Sequence, residues 1–204
     1  MRISLLLILI AMSATAEFAK IPAKLALISD VNAIVPGQTL TVALEIQHAP
    51  GYHTYWRNAG TVGLPTSIEW KLPEGFRAGP MLWPRPEISK MAIYTVWGYE
   101  SDTLLLTDIQ VPTELPLDRP VTFSAAVRWM ACAKDCNPGF KSFSFSLPVA
   151  KTAQIDRELR SRFQAVRKDQ PAKLAAWKAS AHHNGEQYTL TLQPTTPDAN
   201  TIAK

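Results

Sequence analysis

The sequence predicts an all-β domain, a sandwich of antiparallel sheets, followed by an amphipathic helix and one further strand. Three observations carry this expectation. Apolar residues alternate with polar ones in several short runs, the period of a half-buried strand. Proline and glycine clusters divide those runs, as turns divide the strands of a sandwich or barrel. Only after Ala150 does the apolar spacing change to that of a helix.

In chain order, residues 24–29 read as a first strand and Val35-Pro36-Gly37-Gln38 as the turn that follows. Leu40, Val42, Leu44 and Ile46 then alternate with Thr41, Ala43 and Glu45. Ala49-Pro50-Gly51 is a turn, and residues 52–57 are aromatic and β-prone. Residues 66–71 place Ile68 and Trp70 on one face, before turn signals at Pro73-Glu74-Gly75 and Pro84-Arg85-Pro86. Residues 103–111 are the next strand, with a proline-rich loop from Pro112 to Pro120. Residues 121–131 put Phe123, Ala125, Val127 and Trp129 on one side. After a turn at Asn137-Pro138-Gly139, residues 141–149 alternate Phe143, Phe145, Leu147 and Val149 with Ser144, Ser146 and Pro148. Short strands in this number and order fit an immunoglobulin-like sandwich.

Beyond it, Ile155, Leu159, Phe163 and Val166 recur at helical spacing, so residues 153–168 are expected to be an amphipathic helix, interrupted by Pro171. Tyr188, Leu190 and Leu192 alternate again after the His183-Asn184-Gly185 turn. That late strand either begins a second β unit, in a chain continuing past Lys204, or closes the sandwich.

The first sixteen residues do not belong to this fold. Met1-Arg2 is a positive start, 3–12 is an apolar run, and Ala14-Thr15-Ala16 is a small-x-small cleavage site before Glu17. This is the pattern of a secretory signal peptide, too short for the roughly 20 apolar residues that span a bilayer. The expected organisation is a leader over 1–16, an immunoglobulin-like domain over 17–150, and a helix plus strand over 151–204. Loss of Arg2 with the leader lowers the formal net charge from +4 to +3. The basic residues are dispersed, so no nucleic-acid surface is expected. His48, His53, His182 and His183 occur without a G-x-S-x-G elbow, and no glycine-rich phosphate loop is present.

The two cysteines, Cys132 and Cys136, then become the main question, since export would place them in an oxidising compartment. Strand patterns flank them on both sides, so they sit near the tip of a hairpin, where opposed residues come within disulfide range. Closing a five-residue loop removes unfolded-state entropy worth only about 2 kcal/mol, against about 4.7 kcal/mol for a ~100-residue loop. A mature chain of this size has core enough to fold without so weak a crosslink. A bond at a hairpin tip is open to an attacking thiolate. Lys134 favours a thiolate and Asp135 opposes it. On spacing alone, a structural staple and an exchange pair both remain open. Cys132, Cys136, Met130 and His53 are soft or borderline donors for copper(I), but they are scattered, with no CxxC, HxxxH or Met-rich run.

Three segments carry a family resemblance. They are Gly51-Tyr52-His53-Thr54-Tyr55-Trp56-Arg57-Asn58 with Gly63-Leu64-Pro65-Thr66; Trp83-Pro84-Arg85-Pro86 with Tyr94 and Trp97-Gly98-Tyr99-Glu100; and Trp129 with Cys132-Ala133-Lys134-Asp135-Cys136-Asn137-Pro138-Gly139. In these the chain resembles the N-terminal periplasmic domains of the DsbD-type thiol:disulfide interchange proteins, nearest to the branch that includes the suppressor-of-copper-sensitivity proteins. The likeness runs from about residue 25 to 150 and more weakly to the end.

The resemblance implies an immunoglobulin-like periplasmic domain that acts as a protein-disulfide reductase component. It would take electrons from a membrane-embedded thiol reductase domain and pass them to oxidised periplasmic proteins of thioredoxin-like or isomerase type. No cofactor is implied, and the branch links the chain to copper tolerance and cytochrome c biogenesis. Cys132 and Cys136 become the redox pair, with Cys136 as the attacking thiol. Trp97, Gly98 and Tyr99 match a cap loop that shields the pair. Tyr52, Tyr55 and Trp129 match aromatic positions beside it. This chain departs from the best-known branch in having three residues between its cysteines, where that branch has a wider gap.

Overall fold

The computed structural model describes residues 22–91, 93–170 and 177–195. The expected leader over 1–16 and the interruption at Pro171 lie outside those residues. Twelve strands and one helix form among the described residues: β1 (Ala23–Ser29), β2 (Thr39–His48), β3 (Thr54–Gly60), β4 (Ser67–Lys71), β5 (Arg77–Leu82), β6 (Glu87–Met91), β7 (Tyr94–Tyr99), β8 (Thr103–Gln110), β9 (Val121–Cys132), β10 (Cys136–Leu147), α1 (Arg157–Lys168), β11 (Trp177–His183) and β12 (Tyr188–Pro194). Every strand pair is antiparallel.

One sheet has the order β1-β2-β8-β5 and a second the order β10-β9-β4. The alternating apolar residues of each meet in a shared core, as the immunoglobulin-like expectation requires. Leu44 and Ile46 of β2 and Leu105 of β8 pack with Val127 and Ala131 of β9. Further along, Val42 and Ile109 pack with Phe123 and Val149. The Phe123 ring stacks on Phe145 at 5.2 Å and takes Phe76 edge-on at 5.3 Å. The unbroken run Leu104-Leu105-Leu106 also has its reason here. Leu105 faces the sandwich, while Leu104, Leu106 and Ala43 face outward and are covered by Phe163 of α1.

The helix begins one turn later than its apolar spacing suggests. Asp156 caps it, its side chain accepting from the Leu159 amide at 3.0 Å. Ile155, the first member of the expected stripe, instead bridges to Val31. Three arginines on α1 reach acidic partners on and beside the first sheet: Arg160 to Asp30, Arg162 to Glu45 and Arg167 to Asp108.

Further elements differ from the sequence reading, which does not anticipate the strands β6, β7 and β11. β10 starts at Cys136 and takes in Asn137-Pro138-Gly139, which reads as a turn. Proline is tolerated because β10 is an edge strand and the Pro138–Met130 pair falls at a position that exchanges no hydrogen bonds with β9. Gly139 is needed because its cross-strand partner is Trp129; a Cβ there would stand 2.2 Å from the indole. β5 carries Gly79-Pro80 and has no alternation to read; its register shifts between Ala78 and Met81. The late strand is β12, and it neither stands alone nor closes the sandwich: it pairs with β11 in a separate two-stranded sheet.

A third sheet, β3-β7-β6, positions the site. It joins the end of β9 through a bridge from His53 to Cys132.

Candidate thiol–disulfide site

Alternation along β9 puts Ala131 in the sandwich core, so Cys132 must point to the other side of the strand. Both main-chain groups of Cys132 are directed at His53. The His53 amide donates to the Cys132 carbonyl at 2.9 Å, and the Cys132 amide donates to the His53 carbonyl at 3.0 Å. The pairing of Cys132 with Cys136 is therefore of the non-hydrogen-bonded kind, in which opposed side chains come closest. Their Cα atoms are 4.1 Å apart and their sulfurs are joined in a disulfide. The Ala133 amide donates to the Asp135 carbonyl at 3.0 Å and closes the hairpin.

The disulfide thus lies outside the main core, in a small cluster of its own. Tyr55, Ala59 and Val96 are buried with Cys132, and Val62, Met130 and Cys136 pack against them. The two sulfur positions are unequal. Cys132 is completely buried, whereas Cys136 is half-buried. An incoming thiol therefore meets Cys136 first.

Tyr55 is the principal wall. It is completely buried, and its hydroxyl stands 3.9 Å from the Cys136 Sγ. Burial pushes that phenol's pKa up, so it stays protonated. The loop after β3 can lie on the ring only because of Gly63. Its φ is +101°, and a Cβ there would fall 2.1 Å from Tyr55. His53 packs edge-on against Tyr55 with ring centroids 5.1 Å apart. Burial lowers the His53 pKa and the Glu100 charge partly restores it, leaving the imidazole neutral at pH 7.

The residues singled out from sequence fall in different places. Tyr55 is at the disulfide. Val96 is the β7 residue in the disulfide cluster, while its neighbour Trp97 is 38% exposed, pairs with Ile88 and lies beside Gly60. Gly98 sits where β7 approaches β3 closely; a Cβ would stand 2.1 Å from the Thr54 carbonyl oxygen. Tyr99 belongs to the main core and donates its hydroxyl to the Pro84 carbonyl at 2.8 Å. Tyr52 also packs on the main core. Trp129 is on the core side of β9, on the face opposite Cys132.

Sequence reasoning passed over Ala59, Val62 and Val96, and considered His53 as a metal donor and a hydrolase histidine but not as a neighbour of the cysteines. One signal was available: His53 and Tyr55 are two apart on one strand and share a face. Among the described residues, no group of three or more His, Cys, Asp or Glu side chains is arranged to hold a metal ion. An apolar cleft of about 450 Å³, lined by Leu64, Pro65, Arg128, Pro138 and Phe140, opens two residues along β10 from Cys136.

The family model described as thiol:disulfide interchange protein DsbD, N-terminal, matches residues 24–164. Among solved structures, the N-terminal periplasmic domain of ScsB from Proteus mirabilis is similar at a TM-score of 0.61 and 19% identity, covering 85% of this chain. The chain spans 65% of that domain's length. The reduced N-terminal domain of DsbD from Neisseria meningitidis matches at a TM-score of 0.32 and 13% identity, covering 64% of this chain and 90% of its own. No curated protein matches the chain.

Proposed function

This chain belongs to the family of DsbD N-terminal domains and is a thiol–disulfide interchange domain; on that premise we propose that it relays electrons through a reversible Cys132–Cys136 bond. In this reading the domain works in the periplasm after removal of a leader over 1–16. The redox domain, expected over 17–150, also takes in α1, which packs on its first sheet, while β11 and β12 form a separate two-stranded sheet. A membrane-embedded thiol reductase domain is the donor. Oxidised periplasmic proteins of thioredoxin-like or isomerase type are the acceptors.

The observation that carries the proposal is the position of the disulfide. It closes a five-residue loop at a hairpin tip, in a cluster separate from the sandwich core, with Cys136 half-buried and Cys132 sealed. A crosslink of that length contributes about 2 kcal/mol at most through loop entropy, and opening it removes no member of the main core.

The cycle follows from that asymmetry. A donor thiolate attacks the Cys136 Sγ, the Cys132–Cys136 bond breaks, and Cys132 leaves with the electron pair. The donor's second thiol resolves the mixed disulfide and leaves the pair reduced. Cys136 then attacks a partner's disulfide, and Cys132 closes on Cys136 to release the reduced partner. Tyr55, Val96 and Ala59 limit access to Cys132 between encounters.

The test is to equilibrate the full chain in glutathione redox buffers and, in parallel, to melt the Cys132→Ala/Cys136→Ala variant. An exchange pair has a potential less negative than about −300 mV. The variant should lose all exchange yet stay folded, with Tm lowered by roughly 4–8 °C. A bond more reducing than that, or an unfolded variant, assigns the disulfide a structural role and removes the relay.

A further inference from the structure

We propose that His53 is the base that takes the proton from Cys132 when the reduced pair closes its disulfide, an inference that rests on the exchange function above. Three independent features of the fold meet at this residue.

The first is register. His53 and Cys132 are directly opposed and exchange both main-chain hydrogen bonds. Opposed residues of an antiparallel pair project their side chains to the same face, with Cβ atoms about 5 Å apart. The second is burial. Cys132 and His53 are both closed off from solvent, at 0% and 4% exposure. The third is an unused nitrogen. The His53 Nε2 is buried and has no hydrogen-bond partner among the described residues, although leaving a buried polar group unsatisfied is unfavourable. The wall behind the ring is Tyr55, whose hydroxyl stands at the other sulfur.

The chemistry requires such a group at one step. After Cys136 has attacked a partner's disulfide, Cys136 and the partner share an S–S bond, and Cys132 is a buried thiol. A thiol with the ordinary pKa of about 8.5 is mostly protonated at pH 7, and only the thiolate attacks a disulfide, so a proton must leave before Cys132 can close the bond. His53 accepts its proton. The Cys132 thiolate then attacks the Cys136 Sγ, a Cys132–Cys136 bond forms, and the bond to the partner breaks. The partner's sulfur leaves with the electron pair and takes up a proton, which the imidazolium returns through solvent. The partner is reduced by two electrons, and the pair is oxidised by the same two. The groups that face His53 are Glu100 beyond β7, His48 at the end of β2 and Tyr55 on its own strand. Glu100 favours the imidazolium, and His53 in turn disfavours a charge on His48.

The experiment uses the reduced full chain and an excess of a bis-nitrobenzoate aromatic disulfide, followed by absorbance. Attack by the first cysteine releases one coloured thiolate, and closure by Cys132 releases a second. His53→Gln should lower the ratio of the second rate to the first by about 100-fold; an unchanged ratio overturns the proposal. The unaltered protein decides the matter if the variant does not fold. With His53 as base, the second phase is flat from pH 7 to 8, because the imidazole is already neutral there. Without it, the rate climbs about tenfold per pH unit with the thiolate fraction, and that result overturns the proposal. Release of one thiolate only, at every pH, shows that the pair does not close, and the exchange function then falls together with this inference.

Discussion

Replacing Gly98 by alanine tests whether the third sheet is a cover over the disulfide that can lift without unfolding the domain. The added Cβ would stand 2.1 Å from the Thr54 carbonyl oxygen and 3.3 Å from the Tyr55 Cα. Carbon meets a carbonyl oxygen comfortably at about 3.3–3.6 Å, so β7 must retreat from β3 by roughly 1 Å. That retreat acts directly on the pairs Thr54–Tyr99 and Tyr55–Gly98, and through them on the contact of Val96 and Tyr55 with Cys132. Overpacking of this kind costs about 1–3 kcal/mol. If the whole cost falls on the covered state, the uncovered fraction rises by roughly 5- to 150-fold. The assay is the pseudo-first-order rate at which excess dithiothreitol reduces the oxidised chain, with thermal melting of the same samples. The expected outcome is faster reduction by that factor with the main transition retained, since the sandwich core contributes no residue to the disulfide cluster. An unchanged rate would show that β7 does not govern access. Loss of the entire cooperative transition would show that cover and sandwich are one unit, and either outcome refutes the reasoning.

Two further predictions follow from the same geometry. Val96→Ala should speed alkylation of the reduced pair more than Trp97→Ala does, because Val96 is packed with Cys132 while Trp97 is partly exposed beside Gly60; equal labelling rates would deny Val96 its part in the cover. At the helix, burial pushes Asp108 toward a higher pKa, but hydrogen bonds from Arg167 and Thr41 and the Arg167 charge outweigh it, so its pKa lies below the ordinary 3.8. A depressed carboxylate contributes stability above its unfolded pKa and loses it as pH falls through the folded value. Asp108→Asn should therefore lower Tm at pH 7, and the gap to the unaltered chain should shrink below about pH 4; a gap independent of pH would remove the ion pair as the cause.

The sandwich was legible where strands are half-buried. Leu40 to Ile46, Phe123 to Trp129 and Phe143 to Val149 show period two because one face meets the core and the other meets solvent. Where that condition fails, the signal fades. β5 is interrupted by Gly79-Pro80, and β6 and β7 form a sheet whose cover is too small to impose alternation. β10 was legible only from Lys141 onward, because Pro138 and Gly139 look like a turn until the edge position and the facing Trp129 are known. The helix stripe was readable at Leu159, Phe163 and Val166. Its start was not, since Ile155 is claimed by Val31 from far along the chain.

What the sequence determined by itself is local. Two cysteines on either side of a three-residue hairpin turn must face one another, and the run from Phe123 to Trp129 already assigns Cys132 to the side of β9 away from the core. What only the tertiary structure decided is what lies over that side. Tyr55, His53 and Val96 come from strands far away in sequence, and their place depends on two glycines, Gly63 and Gly98, that allow backbone to approach where any side chain would collide. Spacing along a chain reports which residues share a face; which distant strand covers that face is set by contacts between segments, and no periodicity in either segment encodes them.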